Sequence, residues 1–224
     1  MSSVQIKRVV VQAEERISEI TEETTVIVLT IHHVGIVTRN IETMIEWYAK
    51  VLGMKPNFKS TSSSKTNLPF KAALLTNDKA HHRIALLSWP GLSDSSEKHK
   101  ISRLQHFAFE YKTIGDFLNS YSQLKNLTIM PIIALDHGAT TAFYYHDPDK
   151  NTVELFVDNY GDWDRSSRYT RNMQTQGYVA RPVDPEKVIV AHKSGISDSE
   201  IFSRLNSGEF VPTESVDLGI LTSM

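Results

Sequence analysis

Two histidines stand 73 residues apart at the head of matching segments, His33-Val34-Gly35-Ile36 and His106-Phe107-Ala108-Phe109, and Glu154 lies within a third apolar run, Val153-Glu154-Leu155. Imidazole nitrogens and a carboxylate oxygen are ligands for divalent metals. Two His and one carboxylate form the facial triad that suits non-haem Fe(II), leaving coordination positions open for substrate and dioxygen, and Mn(II) also fits. The chain has no cysteine. That excludes disulfides, zinc-thiolate sites and cysteine nucleophiles, and leaves His, Asp and Glu to hold any metal. Taken singly, a strand His is more often a hydrogen-bonded core or surface residue, and Glu154 reads as a solvated one. The metal reading rests on all three occurring at equivalent places in a repeat.

The same offset carries into the segment after each His. Ile41 meets Ile114, Met44 meets Phe117, Ile45 meets Leu118, Tyr48 meets Tyr121 and Val51 meets Leu124. These are helical spacings, an apolar stripe in both copies; a chance match between two amphipathic stretches is the alternative. Asn40 and Thr113 are suitable N-caps. Strand-like segments then follow at about Lys55–Lys59, Phe70–Thr76 and Arg83–Trp89 in the first copy. In the second they fall at about Thr128–Leu135, Thr141–His146 and Val153–Val157, and each copy reads βαβββ. Polar loops, Ser60–Thr66 and Ser93–Lys100, separate the segments.

Side chains alternate across a strand. Val34 and Ile36 therefore share one face, and His33 and Gly35 the other; Phe107 and Phe109 likewise oppose His106 and Ala108. With the apolar faces on the helices, each His points to the far side of its sheet, beside a small residue two positions on. In the last strand Val153, Leu155 and Val157 take the helix face, and Glu154 joins the two His. A carboxylate buried there needs a partner.

At these residues the sequence resembles the vicinal oxygen chelate superfamily, which includes glyoxalases, bleomycin-resistance proteins, epimerases and extradiol dioxygenases. The resemblance covers about Ile31–Tyr160. It is carried by His33-Val34-Gly35-Ile36, Trp47-Tyr48-Ala49-Lys50-Val51-Leu52-Gly53-Met54, Gln105-His106-Phe107-Ala108-Phe109-Glu110 and His146-Asp147-Pro148-Asp149-Lys150-Asn151-Thr152-Val153-Glu154-Leu155. It implies an α+β fold in which two βαβββ modules form a cupped mixed sheet around a metal. One departure is Lys150, where the family's turn usually has Gly; neighbouring Asn151 is expected to supply the positive φ.

Glyoxalases of this family generally take an acidic ligand from the last strand of the first module, but Arg83-Ile84-Ala85-Leu86-Leu87-Ser88-Trp89 offers no carboxylate. Three ligands is the dioxygenase pattern. Extradiol dioxygenases are similar in three further places: His82-Arg83-Ile84-Ala85, Asp136-His137-Gly138, and Tyr144, ten residues before Glu154. The resemblance implies that His82, His137 and Tyr144 orient bound substrate and assist proton transfer, work suited to His near neutral pH. Each also has a plain reading: His82 as one of an adjacent His pair, His137 as a loop residue, Tyr144 as a packing aromatic.

The expectation is an Fe(II) extradiol-type dioxygenase acting on a small aromatic substrate, a catechol or relative, with dioxygen. The alternatives are a metal-dependent isomerase, epimerase or lyase of the glyoxalase type, and a metal-free binding protein of the same fold. A net charge of −2 without any Lys/Arg block argues against nucleic acid. Lys7, Arg8, Glu14, Glu15 and Arg16 argue against a leader or membrane span in the first twenty residues. A cytoplasmic protein with no membrane partner, a homodimer or higher homo-oligomer, is expected. The domain reading is an extension over 1–27, the paired-module domain over 28–160 (modules about 28–92 and 101–160), and a second extension over 161–224. That extension holds a capped helix starting near Ser197 and stopped by Gly208. Its aromatics Trp163, Tyr169 and Tyr178 either cover the mouth of the cup or dock elsewhere.

Overall fold

The stripe Ile41, Met44, Tyr48 and Val51 is the buried face of α1 (Ile41–Leu52), which starts where the Asn40 side chain accepts a hydrogen bond from Thr43 N. Its counterpart α2 (Ile114–Asn126) buries Ile114, Phe117, Leu118, Tyr121 and Leu124 behind the Thr113 cap. The computed structural model describes residues 29–60, 69–94, 100–176 and 180–224. The extension 1–27, Tyr178 and most of the two polar loops lie outside the described residues. The chain falls into two units, Met1–His33 and Val34–Met224, and every helix and strand described belongs to the second.

Around the helices stand two sheets of matching topology. The first runs β1 (Val34–Val37), β4 (Ile84–Ser88), β3 (Lys71–Thr76), β2 (Lys55–Lys59), with β1 parallel to β4 and the rest antiparallel. The second runs β5 (His106–Tyr111), β8 (Thr152–Asp158), β7 (Thr140–His146), β6 (Ile133–Asp136), β9 (Arg181–Pro182), with β5 parallel to β8. The two βαβββ modules are thus present, each with a helix leading from its first strand to its second and with its last strand paired parallel to its first. Ile36, Leu75, Ile84, Leu86, Val153, Leu155 and Val157 face the helices in one continuous core, with Phe107 and Phe109 packed against it. Gly35 and Ala108 lie on the opposite face, as alternation requires, and both are exposed.

Two expectations change. Thr128–Ile132 is not strand. There α2 ends in a Schellman arrangement, with Ile129 N bonded to Leu124 O and Thr128 N to Lys125 O, and Thr128 held at φ 59°. The strand begins only at Ile133. The β7–β8 turn does form, but Lys150 itself takes the left-handed conformation (φ 63°). Asp147 organises that turn: Oδ1 accepts from Asp149 N and Asn151 N, and Oδ2 from Asn151 Nδ2 at 2.8 Å.

The residues after the repeat are integral to this unit. They form α3 (Trp163–Gln176), β9, α4 (Pro185–Lys193), α5 (Asp198–Ser207) and a 3₁₀ turn (Leu218–Thr222). Ser197 and Gly208 cap α5 as expected. Val183, Val188, Ile201, Leu205 and Phe210 enter the main core, and Tyr121 of α2 donates to Glu186 of α4 at 2.8 Å. Among the described residues no helix is long and apolar enough to cross a membrane.

Tyr48, fully buried on α1, donates to Asp147 Oδ2 at 3.0 Å and so ties the first module to the β7–β8 turn of the second. Burial pushes the Asp147 carboxyl up, opposed by the bonds it receives from Asn151 and Tyr48. Y48F is expected to destabilise by about 1–3 kcal/mol in urea unfolding, because a buried carboxylate oxygen loses one of its two donors. T128G is expected to stabilise by about 0.5–1 kcal/mol, since the Schellman position favours Gly and a β-branched residue is strained there; the same unfolding curves measure it.

Candidate metal centre

Glu154 is central in the second sheet, flanked by Ala108 of β5 and Tyr144 of β7. Its neighbours Val153 and Leu155 are fixed to the core by the helices, so alternation sends the carboxylate to the other face. It is only 8% exposed there. Its Oε2 lies 3.0 Å from His106 Nε2, and its Oε1 accepts from Tyr144 OH at 3.0 Å. Tyr144 OH in turn lies 2.9 Å from His137 Nε2. A phenol carries one hydrogen, and here it goes to the carboxylate, so His137 must donate through Nε2–H. The rings of His106 and His137 both meet Tyr144 edge-on, with centroids 5.8 and 6.2 Å away.

Four of the six residues singled out by sequence therefore join in one chain: His106, Glu154, Tyr144 and His137. His82 is buried at the head of β4 in the other sheet, its Nδ1 2.5 Å from that of His81. His33 is the last residue of the first unit, one position before β1, with its Nδ1 3.1 Å from His32 Nδ1.

Burial pushes the Glu154 carboxyl up, opposed by the Tyr144 hydrogen bond and by His106. Burial pushes His137 down, opposed by the charge of Asp136. The face around the chain is apolar. Ile133, Leu135, Ala142 and Phe156 line it, and Ile220, Leu221 and Met224 close over them. Arg103 and Gln105, just before His106, hold this closing segment by hydrogen bonds to the carbonyls of Met224 and Leu221.

The sequence reading gave Asp136 and Asn159 no part in this site and named Tyr169 only as an aromatic that covers the mouth of the cup or docks elsewhere. Asp136 is wholly buried and accepts from Gly138 N, Asn159 Nδ2 and Arg181. Asn159 bonds the same turn. Tyr169 of α3 packs so closely on Gly138 that an added Cβ would sit 2.1 Å from its hydroxyl; Gly138 also has φ 77°. Asp136 had a signal in its place in Asp-His-Gly and Tyr169 in being an aromatic after the repeat, whereas Asn159 had none. Trp163, the other aromatic described, is exposed and donates to Glu110 at 3.2 Å.

Residues 30–155, more than half the chain, match the family described as the Glyoxalase/Bleomycin resistance protein/Dioxygenase superfamily. The chain belongs to that superfamily. Among curated proteins it is 32% identical over 173 residues to biphenyl-2,3-diol 1,2-dioxygenase 3 of Rhodococcus globerulus, covering 77% of this chain and 86% of the relative. It is 31% identical over 195 residues to biphenyl-2,3-diol 1,2-dioxygenase 2 of the same organism, covering 85% and 96%. Among solved structures, a glyoxylase/bleomycin resistance protein/dioxygenase domain from Frankia sp. EAN1pec superposes with a TM-score of 0.51 at 14% identity, over 59% of this chain and 93% of that one. That likeness concerns the fold.

Because burial lowers the His137 pKa, the folded protein resists a proton that the unfolded chain accepts. Above the ordinary imidazole value near 6.5 both states are neutral; as pH falls through it, stability is lost. Melting temperatures taken between pH 7.5 and pH 5 are expected to fall, and to fall less steeply in H137Q.

Proposed function

We propose that the chain is an Fe(II)-dependent extradiol-type dioxygenase, with His33, His106 and Glu154 as ligands and a catechol bearing an apolar substituent as substrate. The observation that carries the reading is the His106–Glu154 pair bound through Tyr144 to His137 on an apolar face, in a chain whose curated relatives are named as dioxygenases of an aryl diol. The donor set fits the metal: nitrogen and carboxylate oxygen converge, no thiolate competes, and a buried carboxylate gains the partner that its desolvation demands. His33 enters by the repeat and the resemblance.

His33, His106 and Glu154 would hold the Fe(II), which would supply Lewis acidity toward the catechol oxygens and electrons for dioxygen. The chain supplies the rest. Tyr144 presents its hydroxyl beside the carboxylate ligand, where it orients a substrate oxygen by hydrogen bonding. His137, kept neutral by burial, presents its Nε2–H to the Tyr144 hydroxyl and so assists at the site as a hydrogen-bond donor, and His82 is the acid/base candidate from the first module. Ile133, Leu135, Phe156, Leu221 and Met224 exclude water and accept the ring and its substituent. The ring opens beside the two hydroxyls, and both atoms of dioxygen enter the product.

The test is anaerobic loading with Fe(II), then oxygen uptake and absorbance of ring-opened product with catechol and biphenyl-2,3-diol. E154A and H106A are expected to lose bound iron by elemental analysis, and H137Q and Y144F to lower kcat by about 10- to 100-fold. Turnover without oxygen, or an absence of retained metal in the wild-type protein, would overturn the proposal.

A further inference from the structure

Asn159, two residues after Val157 and 7% exposed, turns its polar atoms onto a single hairpin turn. Its Nδ2 donates to Asp136 Oδ1 and to Gly138 O, both at 3.1 Å. Its Oδ1 accepts from Thr141 Oγ1 at 2.8 Å, and its backbone N–H donates to Ala139 O at 2.9 Å. A carboxylate and a peptide carbonyl only accept, so these partners fix which way the amide faces. Asn159 thus bonds residues on both sides of His137, whose own ring reaches out to Tyr144 OH.

The turn is already closed internally, by Gly138 N to Asp136 Oδ1 and by His137 N to Thr140 O. Those bonds shape it, and the β7–β8 pairing of Thr140 with Asp158 anchors only its outgoing strand, leaving Asp136 and Gly138 on the near side of the turn to the Asn159 side chain. Asn159 leaves the end of β8, the strand that carries Glu154, so its four bonds tie the His137 turn to the frame that holds the carboxylate. We propose that Asn159 is a positioning residue that aims the His137 Nε2–H at Tyr144, and so keeps His137, Tyr144 and Glu154 in one hydrogen-bonded line. The inference rests on the reading of that line as the reactive part of the site, but its geometric content does not depend on the reaction.

The test uses full-length protein labelled with ¹⁵N-histidine. The His137 ring signals are assigned by their loss in H137Q, and the spectra of N159A and N159D are then compared with wild type. N159D keeps the size of the side chain and the acceptor for Thr141 while turning the donor end into an acceptor that repels Asp136 and Gly138 O, so it breaks the same bonds without leaving a cavity, whereas N159A breaks them without adding charge. The expected result is a single Nε2–H tautomer for His137 in wild type and tautomer averaging in both variants, with the His106 signals unmoved. In the Fe(II)-loaded protein kcat is expected to fall about tenfold or more with KM unchanged, and Asn159→Ala should add nothing in an H137Q background.

An unchanged His137 pattern in folded variants would overturn the proposal, as would additive losses in the double variant. Failure of both variants to fold would overturn it too, by making Asn159 a structural residue. If wild-type protein turns over no catechol, the dioxygenase reading fails, while the tautomer spectra still decide the role of Asn159.

Discussion

A carboxylate placed on the face of a sheet turned away from the helices, within an apolar surround, is costly to fold around. Glu154 is in that position because the strand that bears it is committed on its other face to the helices. The surrounding site answers this one demand. His106 supplies a nitrogen at 3.0 Å, Tyr144 supplies a hydroxyl, and His137 stands behind Tyr144. The residues that compensate the charge are also those suited to chelation and proton transfer, so electrostatic satisfaction and chemistry share the same atoms.

The two modules share topology but divide the labour. In the second, the face away from the helices carries the linked polar chain within an apolar surround. In the first, the corresponding strands contribute small and aliphatic residues, Gly35, Ala85 and Leu74, in register across β1, β4 and β3. Among the described residues of the two sheets, the carboxylate buried on the face away from the helices thus belongs to the second copy.

Much of this architecture was legible in the sequence because it depends on periodicity. The stripes of α1 and α2, the caps Asn40 and Thr113, and the opposition of Phe107 and Phe109 to His106 all follow from local spacing. What escaped depends on contacts without period. Thr128 looks like the start of a strand by residue type, yet the Schellman bonds of the preceding helix hold it in a left-handed turn. Lys150 takes a glycine conformation because Asp147 gathers the turn around it. Asn159 was illegible for a different reason: two of its partners are main-chain carbonyls, which have no residue signature. Residues beyond the repeat read as an appendix since no motif marks them, although Val188, Ile201 and Leu205 complete the core.

The strand β9 has a consequence for how the chain is made. Arg181 and Pro182 pair with Asp136 and Leu135 at the edge of the second sheet, and Arg181 reaches the Asp136 carboxylate. The first sheet can close once residue 88 has left the ribosome, from strands lying within one short stretch. The second must wait for residues some 45 positions further along than the hairpin they complete. During synthesis the edge of β6 and the turn bearing His137 therefore stand open after the first sheet is whole, a pause in which an unpaired strand is most exposed to wrong partners.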